Sequence, residues 1–133
     1  MNISFSPPDI SEAEINEVAE ALRSGWITTG PRVKSLENRL SEYCHTSKMV
    51  CLNSATASEE LNFRICGIGE GDEVIVPAYT YTATASAAIH CGAKVIFVDS
   101  QKDSTEMDYD KVAAAITEKT KAIVAVDLAG IVA

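Results

Sequence analysis

Four short apolar runs constrain this chain more than any other feature: Met49–Leu52 (MVCL), Glu73–Val76 (EVIV), Lys94–Val98 (KVIFV) and Ala122–Val126 (AIVAV). Each is too short for a helix, and helix-length segments separate them, at Ala57–Cys66, Tyr81–His90 and Tyr109–Ile116. Strands that alternate with helices predict a parallel sheet joined by right-handed crossovers. The runs are continuously apolar rather than alternating, as expected where both faces of a sheet are covered. The expected fold class is α/β, a three-layer, mostly parallel sheet with helices on both faces.

The chain upstream of these runs reads as helical, over about residues 1–46, with the α/β portion at about 47–133. Ser11-Glu12-Ala13-Glu14 is a capping box, in which Ser11 caps the N3 amide and Glu14 reaches back to the Ser11 N–H. Ile15, Val18, Ala19 and Leu22 then fall on one helical face, and Gly25 is the stop. Trp26–Gly30 (WITTG) is non-helical. Pro31 opens a second helix, with Val33, Leu36, Leu40 and Tyr43 as its apolar stripe. Gly67–Asp72 is a turn cluster ahead of the second apolar run.

At 133 residues and 47% hydrophobic, the chain can form one core. No window approaches the ~20 apolar residues of a membrane-spanning helix. The start, MNISFSPPDISEAE, has neither a basic nor an apolar leader region. A net charge of −8 argues against nucleic acid as the main partner. A small phosphorylated ligand is still allowed, because helix N-terminal amides can hold it. Cys44, Cys51, Cys66 and Cys91 form no CxxC pair and no zinc spacing with His45 or His90, so no metal site is expected. The cysteines read as reduced, mostly buried small hydrophobes of a cytosolic protein, with a disulfide framework as the lesser alternative.

Ligands of doubly wound sheets sit beyond the carboxyl ends of the strands, and two junctions there carry chemistry. Asn53-Ser54-Ala55-Thr56-Ala57 opens a helix with small residues and hydroxyls, which suits an anion. A plain N-cap by Ser54 or Thr56 explains the same residues. Pro77-Ala78-Tyr79-Thr80-Tyr81-Thr82-Ala83-Thr84-Ala85 places two tyrosines after a strand. Either ring could stack on a planar ligand, or the pair could pack together in the core. Neither GxxxxGK[ST] nor GxGxxG is present.

Taken together, GWITTGP (25–31), LNSATA (52–57), GIGEGDEVIVP (67–77), YTYTATA (79–85), GAK (92–94) and Val98-Asp99 occur in an order that resembles the DegT/StrS-type family of pyridoxal-phosphate-dependent sugar aminotransferases. The resemblance runs from about Phe5 to the end of the chain. It implies the N-terminal part of the large domain of the fold type I pyridoxal-phosphate transferases. It further implies amination of a nucleotide-linked keto-sugar in surface polysaccharide or glycan biosynthesis, glutamate as amino donor, a cytoplasmic location and a homodimer. By this resemblance Thr56 and the backbone of Ala57 bind the cofactor phosphate, and Tyr81 stacks on its pyridine ring. Thr28 and Thr29 become polar contacts on the substrate side. Tyr79 is left as a packing residue, and Gly69–Asp72 and Asp99 as structural.

Two departures from the family pattern stand out. Glu59 and Asn62 replace positions that are usually apolar or small. A buried Glu59 would cost stability and repel a phosphate, whereas a solvated helix face would tolerate both. The family's Schiff-base lysine lies beyond Ala133, and Lys34, Lys48, Lys94, Lys102, Lys111, Lys119 and Lys121 do not match its motif. No catalytic residue is therefore expected within these residues, and the segment alone is expected to be inactive. The break after Ala122–Val126 reads as a fragment of a longer enzyme. The alternative is a standalone, degenerate, non-enzymatic paralogue that binds a phosphorylated ligand or a protein partner.

Overall fold

The computed structural model describes residues 6–133. Phe5, where the family resemblance begins, and the residues before it lie outside them. The chain divides into two compact units, one ending at Cys51 and the other spanning Leu52–Ala133.

The first unit holds two helices, α1 (Glu12–Arg23) and α2 (Pro31–Tyr43). The capping box forms: the Ser11 hydroxyl accepts from the Ala13 N–H at 3.2 Å, and the Glu14 carboxylate accepts from the Ser11 N–H at 2.7 Å. Gly25 ends α1 at φ +72°, a left-handed conformation that favours glycine. Pro31 occupies the start of α2, where its missing N–H costs nothing. The apolar stripes are exposed, however, at Ile15, Val18, Leu22, Leu36 and Tyr43, and neither helix contains a buried residue. Two short helices have too little surface to enclose a core by themselves.

The second unit contains α3 (Ala55–Ile65), β1 (Glu73–Pro77), α4 (Ala83–His90), β2 (Lys94–Val98), α5 (Tyr109–Ala115), β3 (Thr120–Ile123) and a 3-10 turn at Leu128–Gly130. The strands are parallel in the order β2-β1-β3. Alternate residues of β1 serve opposite layers. Val74 and Val76 pack with Phe63 of α3 and with Ala85, Ala87 and Ala88 of α4. Ile75 faces the other way, toward Val98, Met107 and Val112 of α5. Helices thus cover both faces, and the expected three-layer, parallel α/β architecture is present. At the amino ends of the strands, Glu73 (7% exposed) accepts from Lys94 Nζ at 3.0 Å and from Thr117 Oγ1 at 2.7 Å. One carboxylate thereby joins β1 to β2 and to the turn that enters β3.

Four expectations are corrected. Met49–Leu52 forms no strand, because no neighbour in the sheet pairs with it; the Cys51 N–H instead donates to Glu37 Oε1 at 2.9 Å. The last strand begins at Thr120, since Lys119 O already accepts from the Glu73 N–H at 2.8 Å, and it ends at Ile123, with the Val124 N–H donating to Ile75 O at 2.9 Å as its last bond to the short β1. Only β1 is buried throughout, because it is the central strand of three; Phe97 of β2 and Ile123 of β3 are exposed. The cysteines are free, but none is buried. Cys44, Cys66 and Cys91 are the C-cap residues of α2, α3 and α4, and helix ends lie at the surface.

Candidate functional site

The helix that carries Thr56 and Ala57 is capped by Ser54. Its hydroxyl accepts from the Ala57 N–H at 3.1 Å, and its carbonyl accepts from the Ser58 N–H at 3.2 Å. Of the two capping candidates, Ser54 therefore serves and the Thr56 side chain is left for other contacts. Thr56 and Ala57 are half-buried and lie on one turn. No acidic residue stands in that first turn, so the positive end of the helix is not neutralised by a side chain of its own. The small side chains of Ala55 and Ala57 leave the backbone approachable.

Tyr81 lies between the carboxyl end of β1 and the start of α4. Its carbonyl accepts from the Thr84 N–H at 3.2 Å, and the Thr80 and Thr84 hydroxyls meet at 3.1 Å, with Thr84 buried. The Ala78 N–H donates to Val98 O at 2.8 Å, which ties the strand exit to β2. The backbone is thus held while the ring stands 81% exposed. Tyr79, expected to pack, is 60% exposed. Residues 78–80 form a bend rather than an extended segment, so the alternation that would put both rings on one face is lost.

Residues Thr28 and Thr29 belong to the first unit and differ in what they present. Thr28 lines a cavity of about 210 Å³ with Ser24, Trp26, Gly30, Pro31 and Arg32. Thr29 contributes its carbonyl, which accepts from Trp26 Nε1 at 3.0 Å.

Glu59 resolves between its two readings in favour of burial at one atom. The residue is half-buried, and its Oε2 is shielded from solvent with no hydrogen-bond partner among the described residues. Asn62 is exposed. Asp72 Oδ2 accepts from the Gly69 N–H at 3.0 Å, and Asp99 pairs with Lys111 at 3.5 Å.

Sequence reasoning missed a network that joins α3 to α4. Glu60 accepts from Arg64 Nη2 at 2.6 Å, lies 3.3 Å from His90 Nδ1, and its carbonyl accepts from Cys91 Sγ at 3.6 Å. Arg64 also donates to the His90 carbonyl at 3.3 Å. The Arg64 hydrogen bond, aided by His90, holds the Glu60 carboxyl below its usual range. Only the Glu60–Arg64 spacing of one helical turn was available as a signal.

In open parallel α/β sheets of this kind, ligands bind beyond the carboxyl ends of the strands, the side from which the Tyr81 segment leaves β1. The chain belongs to the DegT/DnrJ/EryC1/StrS aminotransferase family, whose model matches residues 8–133. It is 39% identical over 128 residues to the spore coat polysaccharide biosynthesis protein SpsC of Bacillus subtilis, covering 96% of this chain and 33% of that protein. It is 43% identical over 133 residues to the UDP-4-amino-4-deoxy-L-arabinose–oxoglutarate aminotransferase of Shewanella sediminis, covering 98% of this chain and 34% of that protein. Among solved structures it is similar to Spr1654 of Streptococcus pneumoniae, which carries the name of a sugar aminotransferase and is solved in its PMP form. The TM-score is 0.94 at 63% identity, covering 100% of this chain and 34% of that one. The same protein is also solved in a PLP form. The chain spans about a third of the length of these relatives.

Proposed function

We propose that these residues are the N-terminal part of the large domain of a pyridoxal-phosphate-dependent aminotransferase. The enzyme aminates a nucleotide-linked keto-sugar for surface polysaccharide or glycan biosynthesis. The observation that carries the reading is the presence, in one unit, of an uncharged α3 N-terminus and of a ring held exposed beyond β1.

The residues present fit the cofactor. A phosphate needs backbone amides and a hydroxyl at a positive helix end; the Thr56 N–H and hydroxyl supply them, and the Ala57 N–H, which here donates to the Ser54 hydroxyl, would exchange that acceptor for the phosphate on binding. A pyridine ring needs a flat apolar partner, and Tyr81 presents one on a fixed backbone. Bound there, pyridoxal phosphate supplies an electron sink for proton removal at the carbon bearing the amino group. Within this segment, Thr56 and Ala57 anchor, Tyr81 orients the ring, and Thr28 and Thr29 contact the sugar substrate. The shielded Glu59 carboxylate oxygen sits in the turn after the phosphate anchor and weakens anion binding there rather than strengthening it.

Proton transfer requires a lysine that the family resemblance places further along the chain, so residues 1–133 alone are inactive. Glutamate is the amino donor, the enzyme is a homodimer, and it works in the cytoplasm. Among the described residues, no helix is long and apolar enough to cross a membrane.

The test is an amination assay of the intact enzyme with pyridoxal phosphate, glutamate and a panel of nucleotide-linked keto-sugars. Formation of an amino-sugar nucleotide with matching 2-oxoglutarate release is expected. Amination of free amino-acid keto acids alone would overturn the reading.

A further inference from the structure

The segment between α1 and α2 is built around its tryptophan. The Ser24 hydroxyl donates to Ala21 O at 2.7 Å and accepts from the Trp26 N–H at 3.2 Å, so the residue is tied by its backbone to the last turn of α1. The indole then reaches forward, and its Nε1–H donates to Thr29 O at 3.0 Å. The ring lies over Gly30: a methyl group built there would overlap the indole Nε1, Cδ1 and Cε2 atoms. Only glycine leaves room for the ring in this position. On the far side of Gly30, Arg32 pairs with Glu17 at 2.6 Å and Glu20 at 3.6 Å, which fixes the start of α2 against α1. Trp26 is 56% exposed, so burial does not hold the indole; the hydrogen bond and the fit over Gly30 do.

We propose that Trp26 and Gly30 form a lock that positions the Thr28–Thr29 segment, and hence the shape of the cavity that Thr28 lines, for the sugar substrate. Trp26 is a positioning residue in this scheme: it fixes the Thr29 carbonyl and the turn, and the Thr28 and Thr29 side chains make the contacts. The inference rests on the aminotransferase reading above.

Two variants test it. Gly30→Ala drives the indole off the turn, and Trp26→Phe keeps a ring but removes the donor. In the intact enzyme both should raise KM for the keto-sugar about threefold to tenfold, the worth of one hydrogen bond. The kcat and the KM for glutamate should not change. Trp26 is the only tryptophan of these 133 residues, so its emission in this chain reports the lock directly. Gly30→Ala should shift that emission to the red. Unchanged emission would overturn the lock, and shifted emission with unchanged sugar KM would overturn its positioning role. If Gly30→Ala yields no folded protein, Trp26→Phe decides the kinetics alone. A wild-type enzyme that aminates no nucleotide-linked keto-sugar would overturn the functional reading and the substrate role together, while the emission still decides whether the lock exists.

Discussion

The exposure of Tyr81 is informative because its backbone is not free. A ring on a loose loop would be ordinary surface, but here the Tyr81 carbonyl is bonded into the first turn of α4 and its neighbours Thr80 and Thr84 are joined. Tyr81→Ala in the intact enzyme should weaken pyridoxal phosphate retention by about 0.5–1.5 kcal/mol, the worth of an aromatic stacking contact. Tyr79→Ala, at the bend, should leave retention unchanged; equilibrium dialysis of cofactor against both variants distinguishes them. The local pattern could not separate the two tyrosines, because both follow the strand and the bend at 78–80 is set by tertiary contacts such as Ala78 to Val98; only the family resemblance singled out Tyr81. For the same reason Thr28 and Thr29 read alike until the indole engages one of their carbonyls.

At the level of elements, local signals were legible and pairing was not. Ser11 with Glu14, Gly25 and Pro31 each mark a helix end through contacts within a few residues, and all three serve as the sequence implies. Met49–Leu52 has the composition of a strand, but a strand exists only where a neighbour accepts its hydrogen bonds, and composition carries no record of that neighbour. The cysteines misled for a related reason. Their apolar character suits a core, while the C-cap positions of Cys44, Cys66 and Cys91 keep those three from full burial. Ser54→Ala should destabilise the second unit by about 1 kcal/mol through loss of the α3 cap, measured by urea denaturation. The carboxylate at the foot of the sheet makes a pH prediction. The Thr117 hydroxyl first, and Lys94 second, hold Glu73 below the ordinary glutamate range. The stability this contributes is fully present above the unfolded pKa of about 4.3 and is lost as pH falls through the lower folded value. Glu73→Gln should therefore flatten the acid side of a thermal-stability profile; an acid limb identical to wild type would contradict the staple.

Across the whole molecule, the two units differ in what they can do by themselves. Residues 52–133 enclose apolar clusters on both faces of a sheet, whereas the helices ahead of them bury nothing and expose Ile15, Val18 and Leu22. The α/β class was readable from the spacing of apolar runs. The ligand was readable only through several ordered motifs taken together, since each alone has a plain structural explanation. Borohydride reduction of this segment with pyridoxal phosphate should trap no adduct at a single lysine; one stoichiometric adduct, located by peptide mass mapping, would place the chemistry within these residues. The central claim is that α3 and Tyr81 form one wall of a pyridoxal phosphate site. It is tested most directly by a crystal structure of the intact enzyme with the cofactor bound. The prediction is a phosphate on the Thr56 hydroxyl and the α3 N-terminal amides, with the pyridine ring against Tyr81. A cofactor phosphate held by any other element, with Tyr81 still facing solvent, would contradict it.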